Sequence, residues 1–90
     1  MPRYIIERTA PGLTREELEA VSRRSMTAIE SMQGVRWIRS YVSAAEGKIY
    51  CEYDAPDPEA IREHARRAGL PVDRISEVWL EISPAMFATP

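Results

Sequence analysis

The run from Lys48 to Arg74, KIYCEYDAPDPEAIREHARRAGLPVDR, constrains this chain more than any other, because it spells out a strand, a capped helix and that helix's exit without a break. Ile49, Cys51 and Tyr53 alternate with Tyr50, Glu52 and Asp54, the period of two of a strand with one face on a core. Asp57 reads as an N-cap, and Pro58 takes the first helical position, where a missing N–H costs nothing. Glu59 and Glu63 lie toward the positive end of the helix dipole. Ala60, Ile61, His64, Ala65 and Ala68 form one stripe at three-four spacing, Arg62, Arg66 and Arg67 fall mostly off it, and Gly69 with Pro71 gives the stop. The only histidine therefore sits on or beside a buried stripe, in the element that follows the strand carrying the only cysteine.

The other elements follow from the same rules. Arg3 to Arg8 is short and rich in β-formers, and Tyr4 and Ile6 alternate with Ile5 and Glu7; apolar groups on both faces suit a central strand. Thr14 and Glu17 make a capping box, after which Leu18, Val21, Ser22, Ser25, Ile29 and Met32 form a helical stripe. Gly34 closes that helix. Val35 to Ser43 reads as a strand with Val35, Trp37, Arg39 and Tyr41 on one side and Arg36, Ile38, Ser40 and Val42 on the other. The turn-rich link from Ser43 to Gly47 joins it to the Lys48 strand as an antiparallel hairpin. A last strand is expected over Ile75–Ile82, with Val78, Leu80 and Ile82 toward the core.

The order is βαββαβ, the split arrangement of the ferredoxin-like α+β fold: a four-stranded antiparallel sheet in the order 4-1-3-2 with both helices on one face. Residues 1–83 form this domain and 84–90 a tail with an exposed Met86-Phe87 pair. The bare face should carry Tyr50, Glu52, Glu77, Trp79 and Glu81, joined by Ile5 and Glu7. That mixture is too apolar to be left wet and too charged for a plain core, so a homodimer interface or a small-molecule ligand is expected there.

Composition narrows the function classes. A hydrophobic content of 44% and a charged content of 29% describe a folding globular chain. Twelve basic against fourteen acidic residues give a net charge of −2 and no field for a polyanion, so nucleic-acid binding is not expected. No apolar run reaches the roughly 18–20 residues of a membrane span, so no membrane partner is expected either. One cysteine makes no intramolecular disulfide and no apolar leader opens the chain, which makes the cytoplasm the expected location.

No established catalytic motif is present, so candidate sites rest on residue chemistry. Cys51 and His64 are donors suited to a borderline metal, or else a buried thiol and a hydrogen-bonded core histidine. Glu7, Glu52, Glu77 and Glu81 offer oxygens to a cation or a general base, or else pair with Arg3, Arg36 or Arg39. Arg62, Arg66, Arg67 and Arg74 either grip an anion or form a solvated helix face. Trp37, Tyr41, Tyr50 and Trp79 either wall a pocket or pack a dimer.

With PRYIIER at the start, then VRWIRSYVS, YCEYDAP, EAIREHARRAGLPVDRI and EV in the last strand, the chain resembles the family of domain of unknown function 4242, small bacterial proteins of this size. The likeness covers about residues 2–82 and is most specific from YCEYDAP to DRI. It implies a dimer-forming ferredoxin-like domain that binds nickel. The residues offered as metal ligands are Cys51, His64, Glu7 and Glu52; with one histidine and no CxxC or HxH pair, a weak or intersubunit site is expected. The expected function is divalent-metal binding, for buffering or sensing rather than catalysis, with nickel the metal and no organic cofactor. Two alternatives remain: an enzyme of the dimeric α+β barrel type, a cofactor-free monooxygenase or small isomerase using His64 as base, and a structural dimer with no ligand.

Overall fold

A computed structural model describes residues 1–88. Strand β1 (Arg3–Thr9) is followed by helix α1 (Arg15–Glu30), strands β2 (Arg36–Ser43) and β3 (Lys48–Asp54), helix α2 (Pro58–Ala68) and strand β4 (Arg74–Glu77). The sheet is antiparallel throughout, in the order β2-β3-β1-β4, which is the ferredoxin-like βαββαβ arrangement. The end of the tail expected from residue 84, positions 89 and 90, lies outside the described residues. Before it, Pro84–Phe87 form a 3-10 turn that leaves Met86 and Phe87 exposed.

Local chemistry accounts for the helices. Thr14 accepts from the Glu17 amide while the Glu17 carboxylate accepts from the Thr14 amide, so the capping box forms in full. Asp57 accepts from the Ala60 amide, Pro58 opens α2, and Gly69 ends it at φ 71°, a left-handed conformation that favours glycine. Both helices lie over the sheet face that carries Tyr4, Ile6, Ile49, Cys51 and Tyr53, and Ile61 of α2 is wholly buried against it.

Two register details depart from the alternation read in the sequence. A bulge between Trp37 and Arg39 inserts Ile38 as an extra residue opposite β3. Trp37 pairs with Tyr53 before the bulge, and Ser40 and Val42 pair with Cys51 and Ile49 after it, so these three face the helices. Arg36, Arg39 and Tyr41 are left on the open face. One inserted residue is enough to reverse the alternation, because side chains repeat every two positions.

The last strand is also shorter than the expected Ile75–Ile82. Its register places Ile75 opposite Ile6 and Glu77 opposite Tyr4, on the helix side, with Ser76 opposite Ile5 on the open side. The Val78 amide still donates to the Arg3 carbonyl at 2.8 Å. No backbone bond continues the β1·β4 ladder past this one among the described residues, and on its other side the Pro2 carbonyl already accepts from the Ala55 amide at 3.1 Å, at the end of β3. Trp79, Leu80 and Ile82 consequently leave the sheet, and Trp79 is 94% exposed rather than part of an aromatic sheet face.

Removing the cap at Thr14→Ala should cost about 1 kcal/mol, whereas Ile6→Ala, in the centre of the core, should cost about 2–5 kcal/mol. Urea unfolding monitored by circular dichroism measures both, and a smaller loss at Ile6 than at Thr14 would contradict this account of the core.

Candidate functional site

The sheet divides the candidate residues into two chemically different sets. On the helix side, β3 presents Tyr53, α1 presents Ser25 and α2 presents His64. The Ser25 hydroxyl lies 3.1 Å from the Tyr53 phenol oxygen and 3.0 Å from His64 Nε2, and Nε2 is also 3.3 Å from the Ser25 carbonyl. A carbonyl only accepts, so this contact fits the tautomer with its hydrogen on Nε2. The His64 and Tyr53 rings meet at 5.1 Å between centroids. Three elements are thus tied at one buried serine.

His64 is fully buried, and its Nδ1 has no hydrogen-bond partner among the described residues. Burial pulls its pKa below the ordinary value near 6.5; the Ser25 carbonyl opposes that shift and the charge of Arg8 adds to it. Burial likewise raises the Tyr53 phenol, with the Ser25 hydrogen bond pulling the other way. Both groups are therefore neutral at pH 7.

Beside this network stands a residue that the sequence reading passed over. Arg8 is at the end of β1, and its side chain is 2% exposed. One guanidinium nitrogen donates to the Pro71 carbonyl at 2.8 Å, and Cζ lies 5.9 Å from the Tyr53 ring centroid. The other terminal nitrogen has no partner, and no carboxylate pairs with Arg8 among the described residues. The signal was present: Tyr4, Ile6 and Arg8 share one strand face, so the alternation that buries the first two carries the arginine in with them.

Arg8 lines two cavities. One, of about 80 Å³, lies between α1 and the sheet, where Trp37, Ser40, Cys51 and Tyr53 contribute to its wall. The Trp37 indole donates to the Ser40 hydroxyl at 2.9 Å, which fixes the ring at the cavity edge. The other, of about 240 Å³, runs under Leu13, Arg24, Leu70 and Pro71. His64 lines neither cavity, so the base that an enzyme reading requires is held away from both.

The open face carries Ile5, Glu7, Tyr50 and Glu52. Glu7 stands opposite Tyr50, and Glu52 opposite Ile5. Lys48 approaches Glu7 at 3.9 Å and Arg39 approaches Glu52 at 3.8 Å, both at the outer limit of an ion pair. By contrast, Arg3 holds Asp54 at 3.1 Å. The Tyr50 phenol donates to Glu46 at 3.0 Å, and that bond, with burial, raises its pKa. Of the other two carboxylates expected here, Glu77 is on the helix side of the edge strand and Glu81 lies beyond the sheet, where Arg3 reaches it at 3.4 Å.

The expected metal ligands are therefore not brought together. Cys51 and His64 are under the helices, Glu7 and Glu52 are across the sheet from them, and no three His, Cys, Asp or Glu residues gather round a common point among the described residues. Among the described residues the chain does not supply a closed nickel site. The arginines of α2 behave as a solvated face: Arg62 pairs with Glu59, and Arg66 and Arg67 both pair with Glu63. Among the described residues no helix is long and apolar enough to cross a membrane.

Residues 4–78 match the family described as nickel responsive protein SCO4226-like, and the chain belongs to it. The crystal structure of SCO4226 from Streptomyces coelicolor A3(2) superposes with a TM-score of 0.79 at 28% sequence identity, over 89% of this chain and 99% of that one. No curated protein sequence matches the chain.

The buried, neutral His64 gives a pH signature. Its folded pKa lies below the unfolded value, so as pH falls below about 6.5 the unfolded chain binds protons that the folded chain refuses. Stability should therefore be fully present above about 6.5 and decline as pH drops toward the folded pKa. His64→Gln should flatten that decline between pH 7 and 5 in urea titrations, whatever its effect on absolute stability; an unchanged slope would mean that His64 is not held neutral.

Proposed function

We propose that this chain, as a member of the nickel-responsive family, is a small metal-binding protein that buffers or senses nickel rather than catalysing a reaction. Its metal contact lies on the open sheet face of a homodimer. The observation that carries this reading is the state of Glu7 and Glu52. Both are half-buried among Ile5 and Tyr50, and both are only loosely neutralised by their neighbouring cations. Carboxylates in that condition gain more from an incoming divalent cation than Asp54, which Arg3 already holds closely.

One protomer offers too few donors, and a twofold axis across this face doubles them. Apposition also covers Ile5, Tyr41 and Tyr50, for which the protomer has no second layer. Oxygen donors of this kind hold nickel weakly and prefer copper, so selectivity comes from the geometry of the paired faces. Weak, reversible uptake suits buffering or sensing. Cys51 and His64, interior and across the sheet from Glu7 and Glu52, have structural roles in this reading.

Calorimetric titration of nickel, zinc and copper, with sedimentation of the same samples, tests the proposal. Wild type should sediment as a dimer and take up nickel; Glu7→Gln and Glu52→Gln should each weaken uptake by at least roughly tenfold, and Cys51→Ser should leave it unchanged. Loss of uptake in Cys51→Ser or His64→Ala alone would move the site to the helix side. A monomer that takes up no nickel would end the binding reading.

A further inference from the structure

The geometry points to a second, metal-independent site: the cavities around Arg8 bind a small organic carboxylate, with the guanidinium holding the carboxylate and the apolar walls holding its hydrocarbon body. The inference goes beyond the nickel reading and does not depend on it, since the open-face carboxylates lie across the sheet.

Arginine does not escape burial by losing its proton, and its guanidinium carries five N–H donors. Arg8 is 2% exposed and is met by one carbonyl oxygen and by Tyr53, whose ring lies 5.9 Å from Cζ and whose phenol feels the guanidinium charge. A buried charge with so little compensation is strongly destabilising. Its other terminal nitrogen has no hydrogen-bond partner among the described residues and is closed to water-sized contact, so it gains an acceptor when the side chain shifts toward a cavity it lines, and the acceptor that best matches a guanidinium edge is a carboxylate.

The walls select the rest of the ligand. None of the residues lining either cavity is acidic, so nothing repels an anion. Arg24 adds a second cation to the larger cavity, although its Nε is engaged with the Ala68 carbonyl. The smaller cavity is walled mainly by Leu18, Ile49, Cys51 and the Trp37 ring. The Ser40 hydroxyl accepts from Trp37 and keeps its own hydrogen available to a carboxylate oxygen. At roughly 10–15 Å³ per water-sized group, the cavity of about 80 Å³ admits several heavy atoms. Both cavities share Arg8, Val21, Ile49 and Leu70, so Arg8 stands at their common wall. A short-chain monocarboxylate fits this combination. A small inorganic oxyanion satisfies the charge and leaves the apolar walls unfilled.

Sodium butyrate is the probe, with butyramide as its uncharged isostere and inorganic phosphate as a bare anion, each followed by thermal unfolding, calorimetry and amide chemical shifts. Butyrate should raise the melting temperature of wild type in a concentration-dependent way, and move the amides of Ser40, Ile49, Cys51 and Leu70. Butyramide and phosphate should bind at least about tenfold more weakly, and Arg8→Met should lose at least about tenfold in butyrate affinity, the worth of one charged hydrogen bond. Replacing a buried charge by an apolar chain is often tolerated. Should Arg8→Met not fold, the butyrate-to-butyramide comparison and the amide map on wild type decide alone. Equal binding of butyrate and butyramide overturns the proposal, as does a shift map centred on a separate surface groove lined by Arg23, Thr27, Ser31 and Arg67. No binding of butyrate at all also overturns it.

Discussion

The pairing of β1 with β3 is the constraint on which the remaining structure rests. These are the two central strands, and their register sets Tyr4, Ile6 and Arg8 beside Tyr53, Cys51 and Ile49 on one face. A slip of one residue would carry the core outward and bring Ile5, Glu7, Tyr50 and Glu52 inward, so the helices have one sheet face on which to pack. The same register drives a cation into the interior along with the tyrosine and isoleucine that precede it. Both the hydrophobic core and its one uncompensated charge are thus consequences of a single strand alignment.

Ser25 then couples that face to the helices. Its hydroxyl joins the Tyr53 phenol of β3 and the His64 ring of α2, so one small side chain on α1 satisfies polar groups from two other elements. A network of this kind tolerates little displacement, because losing one partner leaves another unsatisfied in a low-dielectric interior. His64 Nδ1 is the remaining polar atom on that network without a partner among the described residues. Two neighbouring basic groups are handled differently: the imidazole sheds its charge on burial, whereas the guanidinium keeps its own.

Much of this was legible in the sequence where short-range chemistry decides. The Thr14–Glu17 box, the Asp57-Pro58 start and the Gly69 stop depend on residues within a few positions, and all three form as read. The βαββαβ order followed from those boundaries. The face assignments of β2 and the extent of β4 were not legible, since the Ile38 bulge and the end of the β1·β4 pairing depend on a partner strand far away in sequence. The candidate site was read in pieces. Cys51, His64, Glu7 and Glu52 were each placed on the correct element and the correct side of the sheet, yet were offered as one ligand set, which the sheet between the two pairs does not allow. Arg8 was missed because a charged residue at a strand end is ordinarily solvated, and only the path of α2's exit over it, through Leu70 and Pro71, makes it interior.

The two faces of the sheet differ in chemistry, and the proposed metal contact belongs to the open side rather than to the space beneath the helices. Paramagnetic nickel added to isotope-labelled protein reads this directly, because amide and side-chain signals broaden steeply with proximity to the ion. The account predicts that broadening begins at Ile5, Glu7, Tyr50 and Glu52 while the His64 ring and the Ser25 amide stay sharp. Broadening that begins at His64 and Cys51 and spares the open face would contradict it.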